Sequence, residues 1–179
     1  MKNRLYAASM LLLSVVLAAS AWNGAGAVRQ WVTAPATAQA AGRPTERDAP
    51  VRARPGGALA EIAAAERAVV FVFSPECAVS RANTANWTEI VRRARGGGVA
   101  LFAVGPTSPD SAAAYWGALG HHVRVLTATP EQIDATLGVR ATPVTLTVEK
   151  GRIRGETPGP LRSAARAELT EFVVGRDVH

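Results

Sequence analysis

The sequence predicts an α/β domain in which a central mixed β-sheet is flanked by helices. Two observations support this prediction. Short apolar runs typical of buried central strands alternate with segments of helical spacing. Near the C-terminal end, two strand-like runs flank Lys150-Gly151, a pair typical of a tight hairpin turn. Because alternating elements give parallel strands and a hairpin gives antiparallel ones, the sheet is expected to be mixed.

The first 27 residues have the pattern of an export signal. Lys2 and Arg4 precede the uncharged apolar run 5–21, and residues 25–27 offer small side chains at the A-x-A spacing of a cleavage site. The run of about 17 residues is near the lower limit for crossing a bilayer, so a cleaved signal and a retained anchor helix both stay open. Because this run is long for a signal peptide, it favours the anchor. In both cases the body of the protein lies outside the cytoplasm, because the positive end stays inside.

Residues 28–57 are predicted to form a flexible linker, since they are rich in Ala, Pro, Gly and Arg and show no apolar period. The folded domain is therefore expected to span residues 58–179. Within this domain the patterns predict helices at 59–67, 77–95, 111–119, 131–137 and 162–174, and strands at 69–73, 99–104, 123–126, 144–149 and 152–156. The apolar residues expected on the inner face of the second helix are Val79, Ala82, Trp87, Ile90 and Val91.

The chain is basic, with a formal net charge of +6 and an isoelectric point near 10.6. Its arginines are spread over separate places instead of forming one face interleaved with aromatic side chains, so no nucleic-acid partner is expected. No phosphate-binding loop or nucleophile elbow occurs. The adjacent His121 and His122 are interpreted as surface residues, because neighbouring side chains point in different directions. We therefore expect neither a cofactor nor a metal site.

The single cysteine, Cys77, follows a buried strand at the first turn of a predicted helix. Unpaired backbone N–H groups and the helix dipole favour a thiolate there, and Arg81 adds positive charge one turn on. Ser80 is placed to donate a hydrogen bond to the thiolate, whereas a nearby Glu76 carboxylate opposes a second anion. From these residues alone, an activated thiol and an inert buried side chain both stay open.

Thr142-Pro143 stands directly before a run of strand-type residues. A proline cannot lie inside a hydrogen-bonded ladder, so Pro143 must start the strand. A cis peptide is one way to place it there, although for this fragment alone the commoner trans form is expected.

Together these segments resemble the thioredoxin superfamily, in particular its exported TlpA/ResA/MauD-like branch. That family places a C-x-x-C site after a buried strand and a T-P dipeptide later, where a cis-proline faces the redox site. Residues 74–80 look like its S-P-x-C-P-V-C form, residues 137–144 its G-V-x-x-x-P segment, and residues 150–153 its d-G-x-i hairpin. The resemblance covers residues 59–174 and implies a thioredoxin-like fold.

The resemblance also implies roles for individual residues. Cys77 would be the attacking thiol, and Pro143 would shape the groove for the substrate peptide. Thr142, Pro75 and Glu76 would be the neighbouring substrate-binding residues. The expected partners are then protein thiols and disulfides of the cell envelope, with a membrane contact through the N-terminal segment if it is not cleaved. The expected location is periplasmic or otherwise extracytoplasmic, tethered to the inner membrane by that segment.

Departures from the family pattern limit the activity that is implied. Ser80 stands in place of the second cysteine, giving a degenerate C-x-x-S site, and a hydroxyl cannot form a disulfide. The dithiol cycle, in which a second thiol resolves the mixed disulfide, is therefore unavailable within this chain. Ala78 replaces the proline of the site, and Phe71 occupies the position that cytosolic thioredoxins give to a buried acid. Efficient disulfide reduction by this chain alone is not implied.

Three functions remain as alternatives. The first is a monothiol oxidoreductase whose mixed disulfides a partner thiol resolves. The second is a non-catalytic binding module that keeps the fold and the groove near Pro143. The third is a peroxide-reducing enzyme, but the peroxidase pattern P-x-x-x-[TS]-x-x-C is absent because Val70 stands where its proline belongs.

Overall fold

The protein is described by a computed structural model that covers residues 44–96, 98–118 and 123–175. The predicted export signal, residues 28–43 of the predicted linker and the two adjacent histidines lie outside these residues. The described residues form six strands: β1 Thr45–Pro50, β2 Arg67–Val72, β3 Ala100–Gly105, β4 Arg124–Thr127, β5 Val144–Glu149 and β6 Arg152–Pro158. Five helices accompany them: α1 Ala60–Ala64, α2 Ala78–Arg93, α3 Pro109–Gly117, α4 Pro130–Leu137 and α5 Ser163–Val174. Among the described residues, no helix is both long enough and apolar enough to cross a membrane.

The strands form one sheet in the order β1-β6-β5-β2-β3-β4. The three strands β2, β3 and β4 are parallel, whereas β5 pairs antiparallel with β2 and β6, and β1 pairs antiparallel with β6. The predicted mixed sheet is confirmed. Its hairpin turn is also confirmed: Lys150 and Gly151 both have positive φ, at 50° and 69°, as a two-residue turn between strands requires.

Strand β2 is buried on both faces because helices cover both sides of the sheet. Val70 and Val72 pack on the side of α1 and α4. Val69 and Phe71 pack on the side of α2, α3 and α5, where Trp87 and Trp116 fill the core as predicted. Aromatic rings pack against one another there at centroid distances of 5.5 to 5.6 Å. This packing fixes the end of β2, from which the chain runs to Cys77.

The prediction that the linker continues to residue 57 is wrong for its last part. Residues 45–50 form β1, which pairs with β6, and Asp48 accepts hydrogen bonds from Arg152 and Arg154 at 2.7 Å each. Val51 is buried in the core. An edge strand with one exposed face carries many polar residues and little apolar periodicity, and therefore resembles a linker in sequence.

The first helix is also shorter than predicted. Helix α1 ends at Ala64, and Arg67, the last residue of the predicted helix, begins β2. The backbone N–H of Ala65 donates to the carbonyl of Ile62 and the chain then turns into extended geometry. Alanine-rich sequence favours a helix locally, but pairing with β3 and β5 imposes the strand.

The inner face of α2 differs from the predicted one. Val79 is 44% exposed and Ala82 is also exposed. The buried residues of α2 are Ser80, Asn83, Trp87, Ile90 and Val91. Two polar side chains take inner positions because backbone N–H groups outside the helix donate to their oxygen atoms.

Candidate active site around Cys77

Cys77 lies at the junction between β2 and α2 and is the N-cap residue of the helix. Its backbone N–H donates to the Ser74 carbonyl at 3.1 Å, and its own carbonyl accepts from the N–H of Arg81 at 3.1 Å. The side chain is buried, with 5% of its surface exposed. The thiol is therefore held at the positive end of a helix whose first N–H groups lack helical partners.

The loop before Cys77 is fastened by Arg81. The guanidinium donates from Nη1 to the carbonyls of Pro75 and Glu76, at 2.9 and 3.0 Å. The Glu76 carboxylate accepts from the Ser74 hydroxyl at 2.7 Å. The two Arg81 bonds tie the loop to the first turn of α2, and the Ser74–Glu76 bond lies within the loop. The position of Cys77 therefore depends on the loop and on that helical turn.

Ser80 lies one turn after Cys77 and is fully buried. Its Oγ accepts a hydrogen bond from the backbone N–H of Ser74 at 3.3 Å, which leaves the hydroxyl proton available to the thiol. The hydroxyl therefore satisfies a buried backbone group as well as facing the sulfur atom.

Thr142 and Pro143 form the opposite wall of the site. The peptide bond between them is cis, so the trans form expected from the fragment alone is wrong. The thiol of Cys77 lies 3.6 Å from the Thr142 carbonyl and donates to it when protonated. Thr142 is 7% exposed, and its Oγ1 atom is buried without a hydrogen-bond partner.

The pKa of Cys77 lies below its ordinary value. Burial alone raises this pKa, but the backbone N–H and hydroxyl of Ser80, the Thr142 side chain and the backbone N–H of Val79 outweigh it. Arg81 is not among the groups that set it, so Arg81 acts on the loop. The site therefore favours a thiolate through hydrogen-bond donors at the helix terminus and from Thr142 on the opposite wall.

Tyr115 connects α3 to α2 through hydrogen bonds. Its hydroxyl donates to the Ser80 carbonyl at 3.2 Å and lies 3.0 Å from Oγ1 of Thr84. Burial raises the pKa of Tyr115, and its ring stacks on Phe73. The tyrosine therefore stays protonated near neutral pH and supports the turn of α2 that carries Ser80.

Comparison with solved structures identifies the fold. A thiol:disulfide interchange protein of the thioredoxin family from Chlorobium tepidum is 19% identical, with a TM-score of 0.53 over 74% of this chain and 98% of that chain. A thiol-disulfide isomerase from Corynebacterium glutamicum is 16% identical, with a TM-score of 0.53 over 75% and 97%. The chain has the thioredoxin fold. No protein-family model matches the sequence, and no curated protein matches it.

StoA from Bacillus subtilis shares the thioredoxin fold at 10% identity, with a TM-score of 0.50 over 74% of this chain and 98% of that chain. The resemblance predicted from short motifs is thus confirmed at the level of the fold. Sequence identities this low explain why only those motifs carry the likeness.

The thioredoxin fold brings most of the predicted site residues together. Cys77, Ser80 and Thr142 meet around the sulfur atom, and the buried Pro143 follows Thr142. Glu76 is exposed, and its carboxylate is not among the groups that set the pKa of Cys77. Among the described residues, no group of three or more His, Cys, Asp or Glu side chains is placed to hold a metal ion.

Two residues of this region were missed by sequence reasoning. Tyr115 comes from a different helix, and no local pattern links it to Ser80. Asn83 is fully buried, and its Oδ1 accepts from the backbone N–H of Leu161 at 3.0 Å. Its spacing of three residues from Ser80 was a usable signal, because a polar pair at this spacing lies on one helix face.

Proposed function

We propose that this protein is an extracytoplasmic thiol-disulfide oxidoreductase that acts through one nucleophilic cysteine, Cys77. The supporting observation is the thiol at the N-terminus of α2, with a lowered pKa and with the Thr142 carbonyl 3.6 Å away. A thiolate, and not a thiol, attacks a disulfide. The lowered pKa therefore increases the fraction of Cys77 that is the reactive thiolate at a given pH.

The reaction begins when the Cys77 thiolate attacks one sulfur atom of a partner disulfide. A new S–S bond forms, the partner's S–S bond breaks, and the second partner sulfur leaves as a thiolate that takes up a proton. Ser80 cannot continue the exchange, because its oxygen atom forms no disulfide. An external thiolate then attacks the partner's sulfur in the mixed disulfide. A new S–S bond joins the external and partner sulfurs, the bond to Cys77 breaks, and Cys77 leaves as a thiolate, which completes the cycle.

The surface beside the thiol suits a protein substrate. Val79 is 44% exposed and Ala78 is exposed, which gives the rim an apolar surface next to the sulfur atom. Thr142, Pro143 and the loop residue Pro75 form the rest of the proposed binding surface. The thiols and disulfides of envelope proteins are the proposed partners, because the N-terminal pattern predicts export and, if the segment is not cleaved, a tether to the inner membrane.

Mixed-disulfide trapping tests this proposal. The reduced protein is mixed with an aromatic model disulfide, and the adduct is measured by mass spectrometry without reductant. We expect one adduct on Cys77, none on Cys77→Ser, and a rate that rises with pH around a midpoint below the ordinary thiol pKa of about 8.5. A midpoint at or above that value would contradict an activated thiol.

Partner capture separates this function from a binding module. Membrane extracts of cells producing the wild-type chain or Cys77→Ser are compared with and without reductant. Reductant-sensitive adducts that need Cys77 support exchange chemistry. Equal partner recovery and an unchanged phenotype with Cys77→Ser would favour the non-catalytic alternative.

A further inference from the structure

The sulfur atom of Cys77 lies among polar groups, and the thiol leaves part of their hydrogen-bonding capacity without a partner. The Thr142 side chain is near enough to lower the pKa of Cys77, yet Oγ1 is buried and has no hydrogen-bond partner. A buried hydroxyl without a partner costs free energy unless another group completes its hydrogen bond. The Thr142 hydroxyl lowers the pKa of Cys77 by donating to the thiolate, whereas the thiol leaves Oγ1 without a partner. An oxygen atom attached to the sulfur supplies such a partner.

Other groups near the sulfur are placed to donate to the oxygen atom of an S–O–H unit or to accept from its hydrogen. The Ser80 hydroxyl and the backbone N–H groups of Val79 and Ser80 are donors near the sulfur atom. The Thr142 carbonyl, 3.6 Å from the sulfur, is an acceptor. A sulfenic acid has one O–H donor and oxygen lone pairs, and this combination matches the mixture of donors and acceptors around Cys77.

The chain also lacks the group that usually removes a sulfenic acid. A sulfenic acid condenses with a neighbouring thiol to form a disulfide. Cys77 is the only cysteine of the whole sequence, and the adjacent side chain, Ser80, is an alcohol.

We propose that Cys77 is a peroxide-modified site at which a sulfenic acid is stabilised by the hydroxyls of Thr142 and Ser80. This inference rests on the proposed function in requiring a nucleophilic Cys77, and it adds a hydroperoxide as a second class of reactant. The resulting state is a reversible oxidised form of the site, in which exchange with disulfides is blocked.

The chemistry balances without a cofactor. The Cys77 thiolate attacks the terminal oxygen of a hydroperoxide, the S–O bond forms and the O–O bond breaks. The leaving alkoxide or hydroxide takes up a proton, so sulfur is oxidised by two electrons and the peroxide is reduced to an alcohol or water. An external thiol later attacks the sulfenic sulfur, water leaves, and the mixed disulfide of the proposed exchange reaction forms.

The test uses the reduced full-length protein and one equivalent of hydrogen peroxide. Peptide mapping locates the added oxygen atom, and a dimedone-type probe captures sulfenic acid as a function of time. We expect labelling of Cys77 that persists, and a loss of labelling in Ser80→Cys, where an internal thiol converts the sulfenic acid to a disulfide. Labelling of wild type that decays as fast as in Ser80→Cys would overturn the proposal.

The hydroxyl of Thr142 is tested by the isosteric variant Thr142→Val, with Thr147→Val, on the following strand β5, as the matched control. We expect the lifetime of the sulfenic acid to fall about tenfold in Thr142→Val, equivalent to about 1.4 kcal/mol, and to stay unchanged in the control. Equal lifetimes in wild type and a folded Thr142→Val would overturn the assignment. If Thr142→Val does not fold, Ser80→Ala gives the same test on the second hydroxyl.

The two proposals fail in different ways. If Cys77 forms the mixed disulfide with the model disulfide but is not labelled after peroxide, the sulfenic acid site is wrong and the exchange function stands. If Cys77 reacts with neither reagent, both proposals fail.

Discussion

The Cys77 sulfur atom lies 3.6 Å from the carbonyl oxygen of Thr142, which is 65 residues further along the chain. The register of the sheet produces this contact. Val72 pairs with Val144, so the end of β2 lies beside the start of β5. Cys77 follows β2 and Thr142 precedes β5. The antiparallel pairing of these two strands therefore brings both residues to the same edge of the sheet.

Restoring the second thiol should restore a dithiol site. Ser80→Cys places a sulfur atom where the Ser80 hydroxyl already contacts the Cys77 thiol. We expect an internal disulfide under mild oxidation and measurable reduction of insulin in a turbidity assay. Thr84→Cys is the control, since a thiol two turns from Cys77 on the same helix cannot pair with it. Failure of the first variant to form a disulfide or reduce insulin would favour a degenerate binding domain.

The stability that the Cys77 thiol contributes should increase as pH rises from its folded-state pKa towards about 8.5. The pKa of Cys77 is lower in the folded state, so the folded chain loses the thiol proton before the unfolded chain does. This contribution is fully present above the unfolded thiol pKa of about 8.5 and is lost as pH falls through the folded value. Urea unfolding at several pH values measures it as the free-energy difference between wild type and Cys77→Ser. A difference that shrinks with increasing pH would contradict the lowered pKa.

Removing the Arg81 guanidinium should slow the reaction of the thiol. Arg81→Met loses both hydrogen bonds to the loop carbonyls of Pro75 and Glu76. Because these bonds are exposed and hold the loop without contacting the sulfur atom, we expect the rate with a model disulfide to fall by less than about tenfold. Arg92→Met is the control: Arg92 lies on the same helix but pairs with Glu89. Equal rates in both variants would show that the loop needs no fastening.

Asn83 should matter for stability more than for chemistry. In Asn83→Ala the backbone N–H of Leu161 and the side chain of Asn86 lose their common acceptor. A buried donor left unpaired costs about 1–3 kcal/mol, so we expect a loss of about 2 kcal/mol in the free energy of unfolding. The exposed Arg92→Ala should change it by less than about 0.5 kcal/mol. A similar small change in Asn83→Ala would mean that water replaces the lost acceptor.

The strand β1 should be required for full stability. A chain beginning at residue 44 keeps the pairing of β1 with β6, whereas a chain beginning at residue 58 loses that pairing and the buried Val51. Burial of one valine side chain contributes about 1.5–3 kcal/mol, so we expect the shorter chain to be less stable by at least about 2 kcal/mol. Thermal unfolding of both chains measures this. Equal midpoints would show that β1 adds nothing to the domain.

The sequence by itself was sufficient for the central part of the fold. Two apolar runs, each of the length of one strand, predicted β2 and β3. The Lys150-Gly151 pair predicted the hairpin turn. It also placed Cys77 at the start of a helix, since a strand followed by Ser-Pro and a helical pattern leaves few other arrangements. These features depend on local periodicity and turn chemistry, which are read from neighbouring residues.

Only the tertiary structure decided the surroundings of the thiol. Thr142 and Tyr115 reach the site from separate segments, and the buried face of α2 begins with polar Ser80 and Asn83, whose partners lie outside that helix. The edge strand β1 likewise forms because its backbone pairs with that of β6. Hydrogen bonds between distant segments leave no periodic trace in sequence. A lone cysteine in the sequence thus becomes, in the fold, a thiol whose pKa is set by groups from α2 and from the segment before β5.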